Sequence, residues 1–333
     1  MTRLVQLQHG AIRRVALVQE PHLQLLTEVD SVLDLATCAI ASNSHLVGLV
    51  SQLARGEKFD YDSIYSGDSE WKLLPAVDHP AEPSRCLVSG TGLTHVGSAQ
   101  NRQAMHGKSE TELTDSMKMF RSGLEGGRPA PGKIGSAPEW FYKGTGTILR
   151  AHGEDLIVPP YAEDGGEEAE VAGVYLIGPN RQPHRIGMAL GNEFSDHKYE
   201  RRNYLHLASS KIRTCSLGPE LVLDPAFDQV PGSVTIERNG STFWTKAIAT
   251  GESEMCHSLA NIEHHHFKFE THRRPGDLHV HYYGACALSF GAGVELSDGD
   301  VMSVHFEGFG RPLRNPLRVT PPNHTPIIVH SLA

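Results

Sequence analysis

The chain has few of the features that would fix its class at once. No apolar run reaches membrane-spanning length, so no transmembrane helix is expected. Lysine and arginine form no dense block, and the formal net charge is −9. A nucleic-acid or anionic-membrane surface is therefore not expected. Cysteine is scarce: Cys38, Cys86, Cys215, Cys256 and Cys286 are odd in number and far apart. They read as reduced thiols of a cytoplasmic protein, neither a disulfide frame nor a zinc finger. The N-terminal stretch Met1–His9 alternates like a strand and has no apolar signal-peptide region. The glycine-rich turn Ser89-Gly90-Thr91-Gly92 lacks the third glycine of a dinucleotide fingerprint, and no clear βαβ unit follows it. Long internal repeats and low-complexity tails are also missing.

What is present is a globular composition. Hydrophobic residues make up 39% of 333, enough for one large domain and a small one. Residues 1–78 read as a small αβ unit. Leu4–Leu7 and Arg14–Val18 are strand-like, and Asp30 would cap a helix from Ser31 to Arg55. The Pro75–Ser84 segment reads as a linker, and residues 79–333 as the main domain. Ser109-x-x-Glu112 is a capping box for a helix over 109–124, with Leu113, Met117, Phe120 and Leu124 as its stripe. Beyond Ile148 strands dominate: Val171–Ile177, Arg185–Leu190, Ile212–Thr214, Leu221–Leu223, His279–Tyr283 and Val301–Phe306. Val234–Arg238 and Phe243–Ile248 flank Asn239-Gly240, a hairpin signal. One helix, about Ser253–Phe269, interrupts them.

The chemistry concentrates in Glu167-Glu168-Ala169-Glu170-Val171. A Glu-x-Glu pair in a strand points both carboxylates to one face. On a buried face they repel and are costly to desolvate. A divalent cation would relieve both, and Glu193 would complete a hard all-oxygen site of the kind Mg²⁺ prefers, with Mn²⁺ or Ca²⁺ as alternatives. The competing reading is a solvated strand face. A second candidate is the histidine group: His264-His265-His266, His272, His279 and His281. His279 and His281 share a strand face, as in cupin-like metal sites. Three consecutive helical histidines fan around the axis, however, so packing or dimer contacts are the expected role.

In order along the chain, several landmarks resemble the fumarylacetoacetate hydrolase superfamily over about residues 84–318. They are Gly90-Thr-Gly-Leu-Thr-His95, Phe141-Tyr142-Lys143-Gly144, Glu168-Ala169-Glu170, Gly191-Asn192-Glu193-Phe194-Ser195, Lys211 to Gly218-Pro219, Pro275-Gly276-Asp277, Gly299-Asp300 and Glu307-Gly308-Phe309-Gly310. The layout looks closest to the bacterial sugar-acid branch. That resemblance implies a mainly β, α+β fold: a mixed β-sandwich roll preceded by a small αβ N-terminal domain, as a homodimer. It also implies a cytoplasmic, Mg²⁺-dependent dehydratase taking a 2-keto-3-deoxypentonate (2-dehydro-3-deoxy-D-arabinonate type) to 2,5-dioxopentanoate through a metal-stabilised enolate. The rivals are an acylpyruvate or 2,4-diketo-3-deoxy sugar-acid hydrolase of the same fold, and a non-catalytic sugar-acid binding protein.

The sequence departs from the family at two places. Glu193 stands where the family usually has Asp, which keeps Asp196 open as the third ligand. Gly284-Ala285 stands for Gly-Thr, so the threonine's hydroxyl contact with substrate is either lost or supplied by Ser289. The expected roles are then as follows. Glu168, Glu170 and Glu193 hold the metal. Lys143 and Lys211 balance the substrate carboxylate or enolate, or serve as base. His95 is the general acid, with Glu110 as its partner. Arg102 takes the distal hydroxyls.

Overall fold

The computed structural model describes residues 1–106, 114–323 and 325–332. Its centre is the Ala169–Ile177 strand, in which every residue is buried. A strand covered on both faces reads as a near-continuous apolar run, and this one does. Antiparallel neighbours flank it, Pro183–Asn192 on one side and Leu278–Tyr282 on the other. The 12-stranded sheet continues through Cys215–Val222 and Arg3–His9 in one direction, and through Cys86–Gly92 to the edge strand Glu139–Thr145 in the other. A 5-stranded sheet runs Ser241–Thr250, Val230–Arg238, Val301–Phe306, Leu313–Val319 and Leu156–Val158. The fold is thus mainly β with added helices, as expected.

Alternation along the central strand sorts its side chains into two cores. Ala172, Val174 and Leu176 face Val32, Leu35, Ala36 and Val50 of the N-terminal helices. Val171 faces the smaller sheet and the Leu259–Phe267 helix through Val234, Val304, Phe306 and Ile262. Each fully buried aliphatic side chain here is worth about 1.5–3 kcal/mol. Residues 1–73 do not form a separate sheet: Arg3–His9 pairs antiparallel with Cys215–Val222, Leu4 opposite Leu221.

Several local expectations are corrected. The helix expected over 31–55 is two helices, Val32–Ala41 and Leu46–Leu53, bent by 116°. Asn43 between them has φ 50°, a left-handed conformation that asparagine tolerates and a helix interior does not. The cap is Ser31, not Asp30, because the Ser31 hydroxyl accepts the Asp34 N–H. The second expected helix begins at Asp115 behind a Thr114 cap, and the Ser109-x-x-Glu112 box and Leu113 lie outside the described residues. Phe120 packs as expected, but Leu124 is exposed. The late helix is shorter, Leu259–Phe267, capped by Ser258. Ile212–Thr214 is not a strand; the strand starts at Cys215. The hairpin stands: Asn239 and Gly240 take φ 53° and 75°, as a type I′ turn requires. No single helix among the described residues is long and apolar enough to cross a membrane.

Candidate active site

Strand register brings the three acids together. Glu170 lies opposite Gly191 and Ala169 opposite Asn192, so Glu193 emerges beside the Glu168–Glu170 pair. Asn192 braces this corner, its side-chain oxygen accepting the N–H groups of Glu168 (3.1 Å) and Phe194 (3.2 Å). One carboxylate oxygen each from Glu168, Glu170 and Glu193 lies within 4.8 Å of the others, all three residues buried. The period-two reading of Glu-x-Glu and the Asp-to-Glu change at 193 therefore converge on one point.

Two lysines serve these acids. Lys211 Nζ lies 2.5 Å from both Glu168 Oε1 and Glu193 Oε2. Lys143 Nζ contacts Glu193 Oε1 at 2.6 Å and donates to the carbonyls of Phe194 (2.8 Å) and Lys211 (2.9 Å). With three acceptors and no exposed surface, Lys143 acts as a brace behind Glu193. Burial opposes charge on Lys211, but Glu168 and Glu193 outweigh it and hold the ammonium protonated beyond its ordinary range. Burial likewise opposes ionisation of Glu168, and Lys211 overcomes it, keeping that carboxyl well below its usual value. Glu170 has the opposite fate. Burial, then the charges of Glu193 and Glu168, push its carboxyl well up. Glu193 is pushed up as well, by burial and then by the charge of Glu168.

This donor set fits a hard divalent cation. All three donors are carboxylate oxygens, they are buried together, and Glu170 is an acid whose proton such an ion would displace. Asp196 is not placed to join them. Its oxygens accept the N–H groups of Tyr199 and Glu163 and pair with Arg213 at 3.0 Å, capping the His197–Arg202 helix.

Gly92, Arg102, Phe141, His197, Glu200 and Leu288 line a small cavity with Glu168, Glu170 and Lys211. Its free volume is about 20 Å³, room for roughly one water. A larger ligand must push Lys211 off the carboxylates and part the wall. Arg102 Nε meets Glu200 at 2.6 Å, and its Nη1 meets Glu139 Oε1 at 3.3 Å. Tyr204 donates its hydroxyl to the same Glu139 oxygen at 2.9 Å. Glu139 Oε2 is buried with no hydrogen-bond partner. It lies over the cavity-lining Gly92, where a Cβ would come within 1.8 Å of it.

His197, Glu139 and Glu200 escaped the sequence reading. His197 Nε2 meets Glu168 Oε1 at 3.0 Å, and that contact outweighs burial and raises the imidazole's pKa. Glu139 had a usable signal: Glu139, Phe141 and Lys143 alternate on one strand, and all three are buried. Glu200 sits one helical turn after His197, a neighbour on the same face.

Other expected residues lie elsewhere. His95 is not among the residues lining the cavity; its Nδ1 meets Thr94 at 2.8 Å and its Nε2 meets Thr250 at 3.1 Å. Burial pushes its pKa down to about 4. Ser289 gives its N–H and hydroxyl to Glu167 at 2.6 and 2.5 Å. Glu110 lies outside the described residues. The histidine group is packing: His281 is held by Ser89 and Thr91, and His279 meets His266 at 3.0 Å. Among the described residues the only cluster of three His, Cys, Asp or Glu side chains close enough for a metal is the glutamate group.

The mixed β fold is shared by solved structures of several enzymes, a fumarylacetoacetate hydrolase among them. The chain is similar to 2-keto-3-deoxyarabinonate dehydratase, with a TM-score of 0.70 and 18% identity over 96% of this chain and 99% of that one. Another structure of that enzyme, with magnesium and 2,5-dioxopentanoate, has a TM-score of 0.70 at 18% identity over 96% and 99%. Fumarylacetoacetate hydrolase from Exiguobacterium antarcticum matches with a TM-score of 0.60 and 17% identity over 96% and 100% of the two chains. A 2-hydroxyhepta-2,4-diene-1,7-dioate isomerase from Mycobacterium marinum matches with a TM-score of 0.58 and 17% identity over 96% and 99%. No family model and no curated protein matches the sequence.

Proposed function

We propose that the chain is a Mg²⁺-dependent hydro-lyase that dehydrates a 2-keto-3-deoxypentonate of the 2-dehydro-3-deoxy-D-arabinonate type to 2,5-dioxopentanoate. The observation that carries this reading is the buried Glu168, Glu170 and Glu193 group, of which Glu168 and Glu170 line one small cavity with Lys211. A divalent cation held by those carboxylates would supply Lewis-acid polarisation of a 2-oxo acid.

The remaining chemistry belongs to side chains. Lys211 is held as an ammonium, so it balances the substrate's negative charge and is poorly suited to removing a proton. With Glu168 and Glu193 engaged by a cation, the contacts that raise its pKa would be lost, and its proton could go to the hydroxyl leaving C4. Proton removal from C3 falls to a carboxylate, and Glu139 Oε2 is an unpaired carboxylate oxygen packed against the cavity-lining Gly92. Lys143 keeps Glu193 in place, and His197 does the same for Glu168. His95 is bonded through both ring nitrogens, so the acid role first expected of it passes to Lys211. The similarity to a dehydratase solved with magnesium and 2,5-dioxopentanoate supports the same reaction.

Incubation of the Mg²⁺-loaded protein with 2-keto-3-deoxy-D-arabinonate and, separately, with an acylpyruvate tests the proposal. A dehydratase yields 2,5-dioxopentanoate from the first and no pyruvate from the second. Pyruvate from the acylpyruvate alone would make the protein a hydrolase.

A further inference from the structure

The far wall of the cavity has a charge pattern that restricts what can enter. Arg102 is the only cation on that wall among the described lining residues, and it is already engaged. Glu200 holds its Nε at 2.6 Å and Glu139 its Nη1 at 3.3 Å. The guanidinium also lies over the Tyr204 ring, 5.8 Å from its centre. An arginine with free donors would be an attractive bidentate partner for a substrate carboxylate. Here two glutamates surround one arginine, so acidic side chains outnumber basic ones around it. The unpartnered oxygen of Glu139, on a side chain only 4% exposed, can accept a hydrogen bond but cannot tolerate another anion.

We propose that Arg102, Glu139 and Glu200 form a charge filter that admits 2-oxo monocarboxylates with neutral, hydroxylated tails and excludes 2-oxo dicarboxylates. The filter rests on the 2-oxo acid reading given above and adds the selectivity to it. The triad end takes the α-oxo carboxylate. A second carboxylate at the tail would meet Glu139 and Glu200 in a desolvated space, where like charges are strongly unfavourable. A neutral tail hydroxyl meets no such repulsion. Glu200 acts through Arg102 and is a positioning residue in this scheme. Glutamine at 200 would keep an oxygen for Arg102 Nε while removing the charge, leaving the guanidinium's positive charge uncompensated.

Calorimetric titration of the Mg²⁺-loaded protein with 2-oxopentanoate and 2-oxoglutarate tests the filter, because the two ligands differ only in a terminal methyl or carboxylate. The wild type should bind 2-oxopentanoate at least about tenfold more tightly. Glu200→Gln should bring the two affinities within about threefold, and Glu139→Gln should shift the ratio the same way. Retained Mg²⁺-induced thermal stabilisation shows that each variant is folded. Should one variant misfold, the other and the wild-type ratio still decide. Equal affinities in the wild type, or an unchanged ratio in a folded variant, would overturn the filter. If neither ligand binds the wild type, the 2-oxo acid reading itself fails, which is a different result from two ligands binding equally well.

Discussion

The Lys211 ammonium sits 2.5 Å from Glu168 Oε1 and equally close to Glu193, in the space that a cation shared by the triad would need. A lysine and a metal ion therefore compete for the same two oxygens. Lys211→Met removes the competitor without adding a polar group. We expect Mg²⁺ to bind the variant more tightly, by roughly tenfold, while turnover falls by about 10²-fold or more. Calorimetry with Mg²⁺ and a semialdehyde assay read the two effects separately. Weaker Mg²⁺ binding would show that Lys211 supports the ion.

Burial and its neighbours drive Glu170 well towards the protonated form, and Glu193 in the same direction. A carboxyl raised in the folded state costs stability as pH climbs from the ordinary carboxylate range towards the folded value. Glu170→Gln is a neutral replacement that removes this cost. In chelator at pH 8 the variant should melt about 2 °C or more above the wild type, since 1 kcal/mol shifts a chain of this size by roughly that much. With Mg²⁺ the order should reverse, because only the wild type gains from binding the ion. Thermal melts under both conditions check it. A variant that still responds to Mg²⁺ would remove Glu170 from the ligand set.

That the three glutamates meet was legible in the sequence because most of its signal is local. Glu168 and Glu170 need only the strand's period of two, and Glu193 comes directly after the next strand, which pairs antiparallel with theirs. The Asn239-Gly240 turn was legible for the same reason. The far wall was not. Arg102 meets Glu139 across 37 positions, and neither residue announces the other. The joining of Arg3–His9 to the large sheet depends on Leu4 pairing with Leu221, a contact no local pattern encodes. His95 illustrates the converse: its place in a glycine-rich turn fits a catalytic histidine, yet Thr250, far away in sequence, closes off its Nε2.

Ser289 was expected to touch substrate, but both its donors are committed to Glu167, which is fully buried. That clamp ties the segment carrying Ala285 and Leu288, part of the cavity wall, to the residue before Glu168. Ser289→Ala removes one of two hydrogen bonds to a buried carboxyl already raised by burial. The expected cost is about 1–3 kcal/mol of stability in urea unfolding, with Mg²⁺ affinity unchanged. KM for the keto acid should stay within about twofold if the serine is a clamp. A large rise in KM without loss of stability would return Ser289 to the substrate.

His266, His279 and His281 form a packed imidazole cluster, with His266 also bonded to Trp140 at 3.2 Å. Burial, and then the neighbouring histidines, hold His279 and His281 down at about 3 and His266 well below its ordinary value. The unfolded chain's imidazoles take protons near pH 6.5, while these three stay neutral in the fold. The sign follows directly. Their contribution is complete above pH 6.5 and is lost as pH falls from there towards 3, because the unfolded state binds the protons first. At pH 5 the loss is about 2 kcal/mol for each histidine by this linkage. Urea unfolding between pH 8 and pH 5 should therefore show a steep decline in stability. His281→Asn offers a neutral polar group to Ser89 and Thr91 and removes one titrating group, so its decline should be shallower by about 2 kcal/mol. Parallel declines in the variant and the wild type would mean that His281 titrates in the fold much as it does in the unfolded chain.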